Sequence, residues 1–323
     1  MKKLLSVMIA LVMILAFASC EGKKADPKEN AAEKTFTIGI CQLVQHEALD
    51  AATQGFIDAV TKALGDKVNI INQNASGEPA NCTSIVNGFI SKEVDLIMAN
   101  ATPALTAAAS ATSTIPILGT SITDYGTALD LKNFNGTVGG NVSGTSDLPG
   151  LDEQAAMILK WFPNAKKVGV LFCSAEANSR YQVDKIKEFL SAKGVTVTEF
   201  AFTDSNDITS VTQKACQASD VIYIPTDNTA ANNKEAIANV VIPAKVPVVA
   251  GEEGLCKGCG VCTLSISYYD LGVTTGEMAV KILTGGADIS KMPIQYTTTT
   301  PKFDADVCSK LGITPLSGYT AIQ

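Results

Sequence analysis

The chain of 323 residues contains one histidine, His46. A Ser-His-Asp or Cys-His catalytic device could therefore be assembled only around that ring. No G-x-S-x-G, Walker A or H-E-x-x-H pattern accompanies it, so the expectation is a protein that is not an enzyme. His46 then reads as a helix-start residue that is exposed or lines a cleft. Positive charge is also scarce: 25 Lys plus Arg stand against 32 Asp plus Glu, a net charge of -7, with no long basic run beyond the first residues. Binding to phosphate backbones needs clustered cations, so no nucleic-acid partner is expected. An uninterrupted membrane span is missing too, because the N-terminal apolar run from Leu4 to Phe17 falls short of the roughly 20 residues a bilayer requires.

That N-terminal run has another meaning. Lys2 and Lys3 precede it, and the small residues Ala18 and Ser19 lead into Cys20, the layout of an exported precursor with a processing site. The ending resembles a bacterial lipobox, with Phe17 in the slot where Leu is usual. Residues 1–19 are then a signal peptide and Cys20 a lipidated N-terminus, palmitate-type acyl chains holding the protein on the outer face of a bacterial membrane. Glu21 to Lys34 (EGKKADPKENAAEK) is charged and poor in apolar residues, so 20–34 reads as lipidated cysteine plus flexible tether.

Beyond the tether, hydrophobic residues are plentiful (46% of the whole chain against 18% charged), and the length suits two domains. Apolar runs alternate with helical spacing. Strands are expected at 37–44, 68–72, 95–99 and 115–119, with helices at 47–64, 80–91 and 102–112 between them. After a looser Gly- and Asn-rich piece at 124–150 the alternation restarts: helices at 151–162, 179–193, 208–218 and 228–240 interleave with strands at 167–172, 195–202, 221–224 and 246–250. A strand-like piece at 261–267 and a helix at 271–283, stopped by Gly285-Gly286, complete the pattern. Such alternation implies α/β architecture: two similar lobes, each a parallel sheet flanked by helices.

Open parallel sheets bind ligands beyond the carboxyl ends of their strands. The residues there are Cys41-Gln42 with His46, Asn74 to Ser76, Asn100 with Thr102, Thr120 to Asp124, Ser174 to Ser179, and Thr226 to Thr229. They are short and polar, without the paired bases of a hydrolase. Cys256, Cys259 and Cys262 form a C-x-x-C-x-x-C run that could offer three thiolates to zinc or an iron-sulfur cluster, but a fourth ligand is missing. A disulfide or free thiols are the favoured readings, so neither metal nor cofactor is expected. The scattered Cys41, Cys82, Cys173, Cys216 and Cys308 read as small buried hydrophobes.

Several segments together carry a family resemblance: IGICQLVQHEALDAATQGFIDAV from Ile38, the Gln-Asn-Ala-Ser at 73–76, ATPALTAAA from Ala101, SITDYG, NVSGTSD, CSAEANS at 173–179, YIPTDNT at 223–229 and SYYDLGVTTGEMAVKILTGG from Ser267. The chain resembles the substrate-binding lipoproteins of ABC transporters, in particular the subfamily binding aromatic amino acids such as tryptophan and tyrosine, over nearly all of Phe36 to Thr314. The resemblance implies a periplasmic-binding-protein type I fold, with hinge strands joining the lobes and one small ligand in the cleft between them. Lobe one is expected at 35–143 plus about 266–290, and lobe two at 144–265 plus part of 291–323. It further implies a monomer that closes on an amino acid and passes it to a membrane permease. A sensor handing its closed form to a membrane receptor, or a metal or redox protein built on the cysteine run, are the alternatives.

An amino acid brings a carboxylate that needs donors and an ammonium that needs an acceptor. Helix N-termini make Ser76, Thr102, Ser174, Asn178 and Ser179 candidates for the carboxylate. Asp227 is the first candidate for the ammonium, followed by Asp124 and Glu176. Gln42, Asn74, Thr123 and Asn228 complete the expected ligand-binding set. Asp227 and Ser179 could equally be helix caps. Tyr125, Tyr181 or Tyr268 could stack on an aromatic ligand, or be ordinary half-buried packing.

Overall fold

The computed structural model describes residues 34–323. The signal segment 1–19, Cys20 and the tether through Glu33 lie outside the described residues. Among the described residues no helix is long and apolar enough to cross a membrane.

The first sheet is built from β1 (Phe36–Gln42), β2 (Val68–Asn74), β3 (Leu96–Asn100), β4 (Ile117–Ile122) and β5 (Val142–Ser146). Helices α1 (Glu47–Leu64), α2 (Pro79–Ser91), α3 (Thr102–Ala111) and the short α4 (Tyr125–Ala128) connect them. The chain then enters a second series: α5 (Leu151–Trp161), β6 (Lys167–Cys173), α6 (Ala177–Ala192), β7 (Thr196–Phe202), α7 (Ile208–Ala218), β8 (Val221–Ile224), α8 (Asn228–Asn232), α9 (Lys234–Val241), β9 (Val248–Ala250), α10 (Glu253–Cys259) and β10 (Cys262–Ser265). Helix α11 (Tyr268–Leu283) and β11 (Gln295–Tyr296) return to the first lobe. Strand β12 (Thr300–Phe303), α12 (Ala305–Leu311) and β13 (Thr320–Ala321) belong to the second.

The strand orders are β11-β5-β4-β3-β1-β2 and β13-β12-β10-β9-β8-β6-β7, so the two sheets repeat one doubly wound plan. All pairings are parallel except β10 with β12. Helices cover both faces, which is why β3, β4 and β8 are buried along their whole length, and β3 and β8 read as apolar runs. Apolar clusters line both faces of each sheet. The chain passes between the sheets three times: after Ser146, after Ser265, and between Tyr296 and Thr300.

The return of α11 to the first lobe has a steric basis. A β-carbon at Gly272 would collide with the Ala52 carbonyl, and one at Gly55 with the Tyr269 carbonyl. The two helices therefore approach at backbone distance, closer than larger residues permit. In the second lobe Trp161 meets Tyr319 edge-to-face at 5.0 Å, tying the C-terminal tail to α5.

Two expectations are corrected in detail. The helix expected over 228–240 is split at Asn233, whose φ of -118° and ψ of 22° leave the helical region. The loose piece at 124–150 contains α4 and the buried strand β5. Strand β5 was hidden because its buried residues are hydroxyls: Thr145 Oγ1 lies 3.1 Å from Thr120 Oγ1 and 2.8 Å from Thr275 Oγ1, satisfying in pairs what an apolar side chain would not need.

Candidate functional site

In each sheet the strand order reverses beside the first strand of the series, so crevices open at the carboxyl ends of β1 and β3 and of β6 and β8. These two ends face each other. A cavity of about 300 Å³ lies between them, walled by Leu43, Val44, Ser76 and Pro103 of lobe one and by Cys173, Glu176 and Asn228 of lobe two. A shallower recess of about 500 Å³ adjoins it, sharing Pro79, Pro103 and Ala175 and adding Thr102, Thr106 and Ala177. The cavity wall is partly apolar, and its volume is near the lower end for small-molecule sites, roughly 300–1,000 Å³.

Local geometry shapes the lobe-one wall. Ser76 adopts φ +56°, and its N–H donates to Asn74 Oδ1 at 2.7 Å, the turn that Asn and Ser favour. Helices α2 and α3 both begin with proline in the first turn, where a missing N–H costs nothing. On the lobe-two wall Glu176 accepts from Asn228 N (3.0 Å), Asn228 Nδ2 (2.7 Å), Thr229 N and Thr229 Oγ1 (both 2.8 Å), which fixes α8 against the start of α6.

Asp227 lies behind this wall. Its carboxylate accepts from Cys173 N at 2.6 Å and from Ser179 Oγ and Ala230 N at 2.8 Å, and it is 1% exposed. Burial, and then the neighbouring Glu176, push its pKa up to about 8. These partners make it the cap of α8 and a clamp on β6, the structural role that the sequence also allowed, and Asp227 is not among the residues that line the cavity.

A different carboxylate stands at the hinge. Asp147 follows β5 where the chain first leaves lobe one. Thr123 Oγ1 donates to its Oδ1 at 3.2 Å and Tyr268 Oη to its Oδ2 at 2.9 Å. Burial raises its pKa to about 6 against the opposing pull of these hydrogen bonds. No ion pair to Asp147 exists among the described residues. Nearby strand ends also carry unpaired buried polar atoms, Asn100 Oδ1 and Ser121 Oγ, and Asn178 Oδ1 is unpaired at the start of α6. Sequence reasoning missed Asp147 because it missed β5. The signal was the NVSGTSD segment, which placed an acid directly after a strand disguised by small polar residues.

Of the twelve expected ligand-binding residues, Ser76, Thr102, Glu176 and Asn228 line the cleft. Gln42 is turned into lobe one, donating to Val44 O and Asp50 and accepting from Thr53. Asn74 serves the Ser76 turn, Thr123 serves Asp147, and Asp124 caps α4 through Thr127 N. Ser174 bonds the Phe202 carbonyl, Asn178 donates to Glu176 and the Thr226 carbonyl, and Ser179 holds Asp227. Tyr125 is core: its hydroxyl donates to Thr145 O and its ring stacks on Phe134. Cys256, Cys259 and Cys262 are buried free thiols spread over α10 and β10, and no three ligating side chains converge as a metal ion requires among the described residues.

Comparison with known proteins gives this geometry a context. A family model described as ABC transporter substrate binding protein matches residues 37–314. The chain is 35% identical over 298 residues to a tyrosine-binding protein of Clostridioides difficile strain R20291, spanning 88% of this chain and 85% of that protein. The structure of an ABC domain in complex with L-Trp from Streptococcus pneumonia superposes with a TM-score of 0.84 at 30% identity, covering 90% of this chain and 100% of that one. The ligand-free, open structure of a substrate binding protein with adhesive properties from Clostridium difficile is 37% identical, covers 90% of this chain and 99% of that one, and superposes at only 0.68. The repeated α/β lobes, the cleft at their facing strand ends and these matches agree that the chain belongs to the ABC transporter substrate-binding proteins.

Proposed function

We propose that the protein captures a free aromatic amino acid outside the cytoplasm, encloses it between the lobes and presents it to its permease, while Cys20 carries the lipid that keeps it at the membrane. The single observation that carries the ligand class is Asp147, a carboxylate buried at the hinge with two hydroxyl donors and, among the described residues, no ion-pair partner. An unpaired buried carboxylate is costly, and a ligand ammonium would relieve that cost in a dry site.

The carboxylate of the same amino acid must lie within a few ångströms of its ammonium. Adjacent strands are about 4.8 Å apart, so the donors belong to strand ends next to β5. Ser121, inside the bulge of β4, meets that condition, and the Asn100–Thr102 turn after β3 lies one strand further along. Ser76 follows the edge strand β2, too far for the same group. It lines instead, with Leu43, Val44, Pro103 and Cys173, the compartment that takes the side chain. The relatives named for tyrosine and crystallised with L-Trp support an aromatic side chain there.

The test is a thermal-shift and calorimetric screen of the purified chain over the twenty amino acids. Selective stabilisation by tyrosine, tryptophan or phenylalanine supports the reading, since a ligand of the native state stabilises by RT ln(1 + [L]/Kd). No response to any amino acid removes it.

A further inference from the structure

The lone histidine sits on the seam between the lobes, in the N-cap position of α1 but with no capping bond of its own. Its Nε2 lies 3.4 Å from Asn228 Oδ1, across the cleft. The orientation of that amide is fixed, because Asn228 Nδ2 donates to Glu176 Oε2 at 2.7 Å, leaving Oδ1 as the acceptor. The proton between the lobes therefore belongs to His46 Nε2. The other ring nitrogen, Nδ1, is buried and has no partner among the described residues.

We propose that His46 is a positioning residue for lobe closure, latching lobe one to Asn228 only as the neutral, Nε2-protonated imidazole. A second proton would have to sit on Nδ1, where no acceptor waits. Glu176 cannot turn to meet it, because Asn178, Asn228 and Thr229 hold both of its oxygens. The charged and titratable groups facing the ring are Glu176 from lobe two, Asp50 on its own helix and Lys234 from α9. The two acids favour the imidazolium and the lysine opposes it, but burial outweighs them and lowers the pKa. Lys234 also bridges the seam, its Nζ 2.8 Å from Glu47 Oε1 and 2.9 Å from the Gly254 carbonyl.

With the lobes apart, His46 faces water and titrates near its ordinary value, about 6.5. Closing the latch then expels the proton. Closure is fully available above that pH and is lost as pH falls through it, about tenfold between pH 7.5 and 5.5 from this one site. The ligand part of the test rests on the amino-acid reading above.

The experiment uses the chain without a histidine tag, so that His46 gives the one imidazole signal in long-range proton–nitrogen NMR spectra. It is titrated from pH 5 to 8, alone and with saturating L-tryptophan or L-tyrosine, and affinities of native protein, His46→Gln and Lys234→Met are measured by calorimetry. The expected result is an Nε2-protonated ring that stays neutral at pH 5.5 when the amino acid is bound. The ratio of native to His46→Gln affinity should fall about tenfold from pH 7.5 to 5.5, while Lys234→Met weakens binding at both pH values. An Nδ1-protonated ring, or an imidazole that titrates identically with and without the amino acid, overturns the proposal. If neither amino acid binds, the aromatic reading fails and solution scattering of the ligand-free protein decides the latch. A radius of gyration that rises on acidification in native protein but not in His46→Gln supports it, and the same response in both removes it.

Discussion

Replacing Asp147 with asparagine should weaken amino-acid binding while strengthening the ligand-free fold. The side chains are isosteric, so one of Thr123 and Tyr268 keeps its acceptor while the other hydroxyl must turn to accept from the amide NH2, and what is chiefly lost is the charge. A hydrogen bond to a charged group is worth about 1.5–3 kcal/mol, so the dissociation constant should rise about 12- to 160-fold at pH 7.5. In the ligand-free protein the same carboxylate is a liability. Its folded pKa, about 6, lies above the ordinary value of 3.8, so the folded state holds the proton more tightly than the unfolded one. Stability is fully present at low pH and is lost as pH rises through that window, by roughly 1–3 kcal/mol above pH 6. The amide of the variant cannot ionise, so Asp147→Asn should melt higher than native at pH 7.5 and alike near pH 4. Calorimetric titration measures the first effect and thermal unfolding at the two pH values the second. Native-like affinity in Asp147→Asn, or a lower melting temperature at pH 7.5, would refute the reasoning.

Other outcomes follow from the same contacts. Tyr268→Phe removes a donor from Asp147, so the pH below which amino-acid binding weakens should move upward, read from dissociation constants between pH 5 and 8. Gly272→Val drives a side chain into the Ala52 carbonyl and should lower stability by about 1–3 kcal/mol in denaturant unfolding, with ligand selectivity retained. Cys20→Ser should abolish labelling by radioactive palmitate in bacterial cells and shift the protein from the membrane fraction to the soluble fraction.

The architecture was legible where burial wrote it in apolar residues. Strands such as β3 (LIMAN) and β8 (VIYI) are covered on both sides and announce themselves, as does the 3.6-residue period of α1. Strand β5 (VSGTS) did not, because its neighbours supply hydroxyl partners and its Gly144 lets β4 approach where a β-carbon would strike Gly119. Missing that strand hid Asp147, the residue with most to gain from a cationic ligand. Asp227 was conspicuous in sequence as an acid before a helix, and its carboxylate takes the cap of α8 with Cys173, Ser179 and Ala230 packed around it, a set of partners that local pattern alone does not give. His46 was readable as a helix-start residue beside a cleft, but its partner lies 182 positions away, a pairing that no local pattern records.

The central claim is that the cleft closes on an aromatic amino acid whose ammonium rests on Asp147. A crystal structure of the protein grown with L-tyrosine or L-tryptophan tests it most directly. The account predicts the amino group within hydrogen-bond distance of Asp147 Oδ1 or Oδ2, with the ring in the compartment walled by Leu43, Val44 and Pro103. An amino group bound elsewhere, with Asp147 still holding only Thr123 and Tyr268, would contradict it.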